Sequence, residues 1–226
     1  MRKKPKSALD RLLAVMARLR APDGCPWDRV QDHRTLRFHA VEEVYELLDA
    51  IESGDDRELA EELGDLLMQI VFHAQIAKER GAFDFQAVCR RLVEKLIRRH
   101  PHVFGKARDV DTPQAVWAQW DQIKQAEKVG GRTLRRSALD GIPKHLPALL
   151  RAEKLVKKAR KAGLLPEAKT RRRLPSQREV ARQLFTLASY AQSRRWSAEE
   201  LLRTESRELE RRLRRKERRR AARKPL

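Results

Sequence analysis

Residues 41–69, VEEVYELLDAIESGDDRELAEELGDLLMQ, constrain this chain more than any other stretch. Two helix-patterned segments flank a Gly-Asp-Asp break at Gly54, Asp55 and Asp56. Residues three or four apart share a helical face. Glu43 and Glu46 therefore project together, as do Glu62 and Asp65. Antiparallel packing across the short break brings the two acidic pairs toward each other. Four carboxylates converging among Leu, Ile and Val repel one another and are poorly solvated. A bound hard cation relieves that conflict, and an all-oxygen donor set suits Mg²⁺ or Mn²⁺.

Composition agrees with a helical protein. Charged residues make up 37% of the 226 positions, aromatics 5%, and there are few β-branched runs. The expected fold class is all-α. Charge divides the chain: residues 1–130 hold 22 basic and 22 acidic side chains, whereas residues 131–226 hold 30 and 10. Two cysteines, Cys25 and Cys89, make no disulfide framework, which points to a reduced, cytoplasmic protein. No apolar run is long enough to span a membrane, and the basic N-terminus lacks a signal-peptide core.

Along the chain, residues 7–20 form an amphipathic helix with Ser7 and Asp10 at its start. The loop APDGCPWD (21–28) follows, its Trp27 expected to plug a core edge. A helix over 34–53 is expected to bury Leu36, Val41, Val44, Leu47, Leu48 and Ile51. A second, about 56–80, carries Glu62 and Asp65. Di-iron bundles place Glu-x-x-His on such helices. Here Glu46 follows Glu43 and Asp65 follows Glu62 at that spacing, which favours phosphate-bridging metals. Asp84 caps a helix running to Arg99, on which Lys95 and Arg99 share a face. Thr112 and Pro113 open another helix, with Trp120 and Lys124 one turn apart. Beside an acidic metal cluster, these basic and aromatic side chains suit a polyphosphate and a base.

These residues resemble the MazG-type nucleoside triphosphate pyrophosphohydrolases of the all-α NTP pyrophosphatase group. That signature, Glu-Glu-x-x-Glu then Glu-x-x-Asp, stands here as Glu42-Glu43-Val44-Tyr45-Glu46 and Glu62-Leu63-Gly64-Asp65. DGCPWD, FHAQIAKERGAFDF, EKLIRRHPHVFG, WAQWDQIKQAEK and SALDGIPKHLPALLRAEK are also similar, so the likeness covers most of residues 8–156. It implies a helical bundle, usually dimeric, that uses Mg²⁺ to convert an NTP to the NMP and diphosphate. It further implies Glu43, Glu46, Glu62 and Asp65 as metal ligands, Glu42 and Glu43 as catalytic, and Lys95, Arg99, Trp120 and Lys124 as substrate contacts.

Two-domain members carry the signature twice. In the second half of this chain, Glu179 falls where Glu62 stands and Arg182 where Asp65 stands, and an Arg cannot ligate a cation. The acidic helix that should precede is replaced by GLLPEAKTRRRLPSQ. The expected organisation is therefore a catalytic helical domain, 1–130, and a basic, truncated MazG-like region, 131–226. The tail RRLRRKERRRAARK would attract nucleic acid or other polyanions nonspecifically. A non-enzymatic nucleotide- or RNA-binding scaffold derived from the same fold is the alternative reading.

Overall fold

The computed structural model describes residues 7–105, 111–130, 137–166 and 175–222, without the side chains of 121, 124, 125 and 128–130. A polar linker is expected over 106–113; its residues 106–110, residues 167–174 of the basic segment and residues 223–226 lie outside the described residues. Those described are all-α, with ten helices and no strand. None of these helices is long and apolar enough to cross a membrane. The chain divides into two compact units, residues 1–120 and 121–226.

In the first unit, α1 (Ala8–Leu19) starts at a reciprocal capping box: Asp10 N donates to Ser7 Oγ at 3.1 Å and Ser7 N donates to Asp10 Oδ2 at 3.1 Å. The loop beyond α1 leads into the short α2 (Pro26–Val30) and is fixed by one side chain. Arg20, whose side chain is 7% exposed, forks onto Glu79 with Nε–Oε1 2.9 Å and Nη2–Oε2 2.7 Å. Its Nη1 donates to the carbonyls of Asp28 and Gln31, and its guanidinium lies over the Phe72 ring. Trp27 sets its ring edge-on to Phe72 at 6.4 Å, so the tryptophan closes a core edge while staying half exposed.

α3 (His39–Ser53) and α4 (Asp56–Glu79) form an antiparallel hairpin. Gly54 ends α3 in the left-handed region at φ 72°, where a side chain would be strained, and Asp55 caps α4 through Arg57 N at 2.7 Å. α5 (Phe85–Arg99), capped by Asp84, packs on α4 and leads into the single turn α6 (Pro101–Phe104). The core joins Met16, Leu36, Val71, Phe72 and Ile76 to Leu12, Leu13, Leu67 and Phe85.

Two expectations are corrected here. The helix begins at His39, not residue 34, and Leu36 reaches the core from the preceding turn. Val41, Val44, Leu48 and Ile51 are not buried: they are 49, 42, 48 and 54% exposed. α3 turns Leu47 and buried Ala50 toward its surroundings, while this other apolar stripe is left open. Periodicity marks a face that avoids water, but does not say which molecule covers it.

α7 (Pro113–Gly130), capped by Thr112, runs across the boundary between the units. In the second unit, α8 (Ala148–Lys161) packs against α10 (Ala198–Ala222) around Leu139, Leu155, Ala159, Leu164 and Leu213. Glu199 caps α8 from a distance: both its carboxylate oxygens accept from Ala148 N at 2.9 Å. α8 ends in a Schellman turn, Gly163 at φ 64° and Leu164 N to Ala159 O at 2.8 Å. Glu210 accepts from buried Arg151 and from Arg214, which also binds Asp140 at 2.7 Å. α9 (Gln177–Ser193) starts at a capping box of Ser176 and Glu179 and buries only Ala191.

The Arg20 clamp sets a testable expectation. Arg20→Ala removes a nearly buried guanidinium, leaves two carbonyls without this donor and leaves Glu79 with Gln75 Nε2 at 3.0 Å, costing about 2–3 kcal/mol. A urea denaturation followed by circular dichroism should show the loss, together with a red-shifted, quenchable Trp27 emission. Unchanged midpoints would refute the clamp.

Candidate metal centre

The α3–α4 hairpin has a symmetrical register. Glu43 and Asp65 each stand eleven residues from Gly54, and Glu46 and Glu62 each stand eight. Antiparallel helices of equal rise therefore place Glu43 level with Asp65, about 16 Å from the turn. Glu43, Glu62 and Asp65 each offer a carboxylate oxygen, and these three oxygens lie within 4.8 Å of one another. All three side chains are half-buried. Glu46, one turn after Glu43, is exposed and stands outside this group of three.

The electrostatics are those of a cation site. Burial pushes the Glu62 carboxyl above the usual carboxylate range, and the charges of Glu46, Asp65 and Glu43 push it further. Burial likewise raises Glu46, with Glu43, Glu42 and Asp65 adding to the shift. A carboxyl whose folded-state pKa is raised contributes stability at low pH and loses it as pH rises through that pKa. At neutral pH the cluster therefore works against its own fold until positive charge arrives. Glu62 Oε2 is buried without a hydrogen-bond partner among the described residues, an acceptor placed where water does not reach. The donors are oxygens throughout, so the residues present fit a hard divalent cation.

Sequence reasoning missed Gln69. It is 4% exposed on α4, one turn beyond Asp65, and its Nε2 donates to Glu43 Oε1 at 3.0 Å. That bond fixes which Glu43 oxygen is free to face the other acids. A buried glutamine at i+4 from a predicted ligand was the available signal.

The other predicted residues sit on neighbouring elements. Glu42 is exposed on α3, 3.6 Å from His39 Nδ1, and its charge bears on Glu46. Lys95 and Arg99 are half-buried along α5. Trp120 on α7 packs edge-on to His100 at 5.1 Å, and His102 bonds to Gln119 at 2.8 Å, so the two histidines brace the turn at α6. The side chain of Lys124 lies outside the described residues.

The helical hairpin thus brings three carboxylates together, and the helix carrying Lys95 and Arg99 packs on α4. Residues 31–104 match the MazG nucleotide pyrophosphohydrolase domain, and this chain carries that domain. The chain is 48% identical over 156 residues to the nucleoside triphosphate pyrophosphohydrolase of Escherichia coli strain K12, covering 69% of this chain and 58% of that protein. It is 46% identical over 154 residues to the nucleoside triphosphate pyrophosphohydrolase/pyrophosphatase MazG of Thermotoga maritima, covering 68% and 57%. The nucleoside triphosphate pyrophosphohydrolase of Mycobacterium tuberculosis is 40% identical over 154 residues, covering 67% and 45%. The matched region thus spans somewhat over half the length of the first two relatives.

A second unanticipated feature lies further along α4. His33 and His73 stack at 5.1 Å with their Nδ1 atoms 2.9 Å apart. Arg80 Nη2 is 3.1 Å from His33 Nε2. A guanidinium only donates, so His33 Nε2 accepts, which assigns the His33 proton to Nδ1 and makes His73 Nδ1 an acceptor. The chain of bonds requires both imidazoles neutral, and it ties the segment before α3 to α4. Burial, then the nearness of His33, lowers the His73 pKa. A histidine with a lowered folded-state pKa costs stability once pH falls below its unfolded value, about 6.5. The melting temperature of the wild type should therefore fall between pH 7 and 5 more steeply than that of His73→Gln. Parallel profiles for the two proteins would overturn the assignment.

Proposed function

We propose that this protein is a Mg²⁺-dependent nucleoside triphosphate pyrophosphohydrolase, converting an NTP and water to the NMP and diphosphate in its first unit. One observation carries the reading: Glu43, Glu62 and Asp65 bring carboxylate oxygens within 4.8 Å of one another inside the region that matches the MazG domain. The names of the relatives supply the reaction class.

Glu43, Glu62 and Asp65 would hold the cation, with Glu46 at the mouth of the site. A bound Mg²⁺ would supply positive charge to the phosphate oxygens and acidify water. Gln69 holds Glu43 in its ligating orientation through the 3.0 Å bond. Glu42 and Glu43 would be the carboxylates that accept a proton from the attacking water. Lys95 and Arg99 would neutralise the departing phosphates, and Trp120 would receive the base end. Mn²⁺, with the same preference for oxygen donors, would substitute.

Supplied with Mg²⁺ and a panel of NTPs, the full chain should release NMP and diphosphate in equal amounts. Glu62→Gln and Asp65→Asn should each lower kcat/KM by about 10²–10³-fold and abolish the rise in melting temperature that Mg²⁺ gives the wild type. Gln69→Ala should lower it by about tenfold. Release of orthophosphate instead of diphosphate would refute the reaction. Wild-type rates in Asp65→Asn would refute the site.

The open stripe of α3 supports a homodimer. Val41, Val44, Tyr45, Leu48 and Ile51 repeat at helical spacing and stand 42–54% exposed. A second copy covering this stripe would bury it and, on the same helix, order Glu46. Light scattering should report a dimer for the wild type and a monomer for Leu48→Asp. A monomeric wild type would rule out this use of the stripe.

A further inference from the structure

The second unit carries far more positive charge than its fold uses. Four of its acids, Asp140, Glu199, Glu210 and Glu217, are spent on its own fold. Glu210 and Asp140 hold Arg214, and Glu210 also holds buried Arg151. Glu217 accepts from Ser137 Oγ at 2.5 Å and Ala138 N at 2.7 Å. Glu199 caps α8. Between Arg211 and Arg220, α10 bears eight basic residues and one acid, Glu217. Of these, Arg211 and Arg212 pair with Glu208 at 3.8 Å and Glu205 at 2.9 Å, and Lys216 and Arg220 donate to the carbonyls of Leu164 and Gly163 at the end of α8, at 2.6 and 2.7 Å. Arg215, Arg218 and Arg219 are exposed and make no ion pair or hydrogen bond among the described residues. An open groove of about 540 Å³ is lined by Arg212, Arg215, Lys216, Arg219 and Arg220 alone.

The chemistry of that surface selects its partner. Residues 211–220 rise about 14 Å along the helix, room for several phosphates in a row. The leucines of this half of α10 face inward: Leu213 is 4% exposed and Leu209 packs on the same core. With no large apolar side chain beside the guanidiniums, the surface has nothing to insert into a lipid interface. It also offers no aromatic anchor to a protein. Among the described residues it has no aromatic on which a base could stack. We propose that the C-terminal half of α10 binds the phosphodiester backbone of nucleic acid without sequence preference, through Arg215, Arg218 and Arg219 and the adjoining groove. This binding stands apart from the proposed hydrolysis and survives its failure.

The test uses the full chain and fluorescein-labelled 20-mers, mixed-sequence single-stranded RNA and duplex DNA, read by anisotropy at 50–200 mM salt. The wild type should bind both, two unrelated sequences equally, with affinity falling log-linearly in salt. The triple variant R215Q/R218Q/R219Q should bind at least tenfold more weakly at 100 mM salt. Its slope should flatten by about 0.9 for each lost duplex phosphate contact and about 0.7 for each single-stranded one. A control, K154Q/K157Q/R160Q, removes the same charge from exposed positions on α8. It should retain most of the binding. Both variants should keep the wild-type melting curve, and both should keep the wild-type hydrolysis rate. Equal loss in the control would overturn the assignment to α10, leaving net charge as the cause. A wild type that ignores both oligomers, or binds phosphatidylserine vesicles as tightly as RNA, would overturn the proposal outright.

Discussion

Carboxylates forced together across one helical hairpin set the terms for the first unit. Packing of α3 on α4 and the left-handed turn at Gly54 hold Glu43, Glu62 and Asp65 close, against their mutual repulsion and partial burial. Neighbouring elements brace this hairpin. Gln69 orients one acid, and the His33–His73–Arg80 chain pins the approach to α3. Arg20 locks the loop under Trp27 onto the end of α4 through Glu79. Each brace ends on α4, the longest helix of the unit and the one contributing two of the three clustered acids. Rigidity there has a chemical use. A cation site works when its ligands are held at fixed separation before the ion arrives, so that binding energy is not lost in ordering them.

The two units use acidic side chains in opposite ways. In the first, three carboxylates gather around one another with an oxygen of Glu62 left unbonded. In the second, acids are distributed one by one to helix ends and buried guanidiniums, as with Glu199 on α8 and Glu210 between Arg151 and Arg214. Distributed acids are neutralised by their partners and hold a fold together. Gathered acids are neutralised only by something from outside. Arg215, Arg218 and Arg219 of α10 are left without counter-charge among the described residues, so that each unit presents uncompensated charge to solvent, of opposite sign.

What could be read before any coordinates follows from which interactions are local. The i, i+3 spacing of Glu43 with Glu46 and of Glu62 with Asp65 specifies a face, and Gly54 specifies the turn that folds one face toward the other. Caps at Ser7, Asp84 and Thr112 are equally local, and each is formed. The Arg20–Glu79 fork spans 59 residues and the His33–His73 bond 40, so nothing in either neighbourhood announces its partner. The apolar stripe of α3 misled for a related reason: Val44 and Leu48 carry the period of a buried face, and the period is silent about what buries it. Glu46 illustrates the limit within the site itself. Its spacing puts it on the face of Glu43, and it is exposed whereas Glu43, bonded to Gln69, is half-buried.

Glu179 shows how an acid can persist at a ligand-like position for another purpose. Set against the first unit it occupies the place of Glu62, but its carboxylate accepts from Ser176 N at 2.6 Å and Ser176 Oγ at 2.7 Å. Those bonds hold its pKa below the usual range, opposite to the shift at Glu62. A carboxylate committed to a helix start has its charge met by backbone dipoles and gains little from a cation. One turn on stands Arg182, whose positive charge would repel a cation. Among the described residues the gathered carboxylates are those of the α3–α4 hairpin, while the acids of the second unit described above serve its own fold.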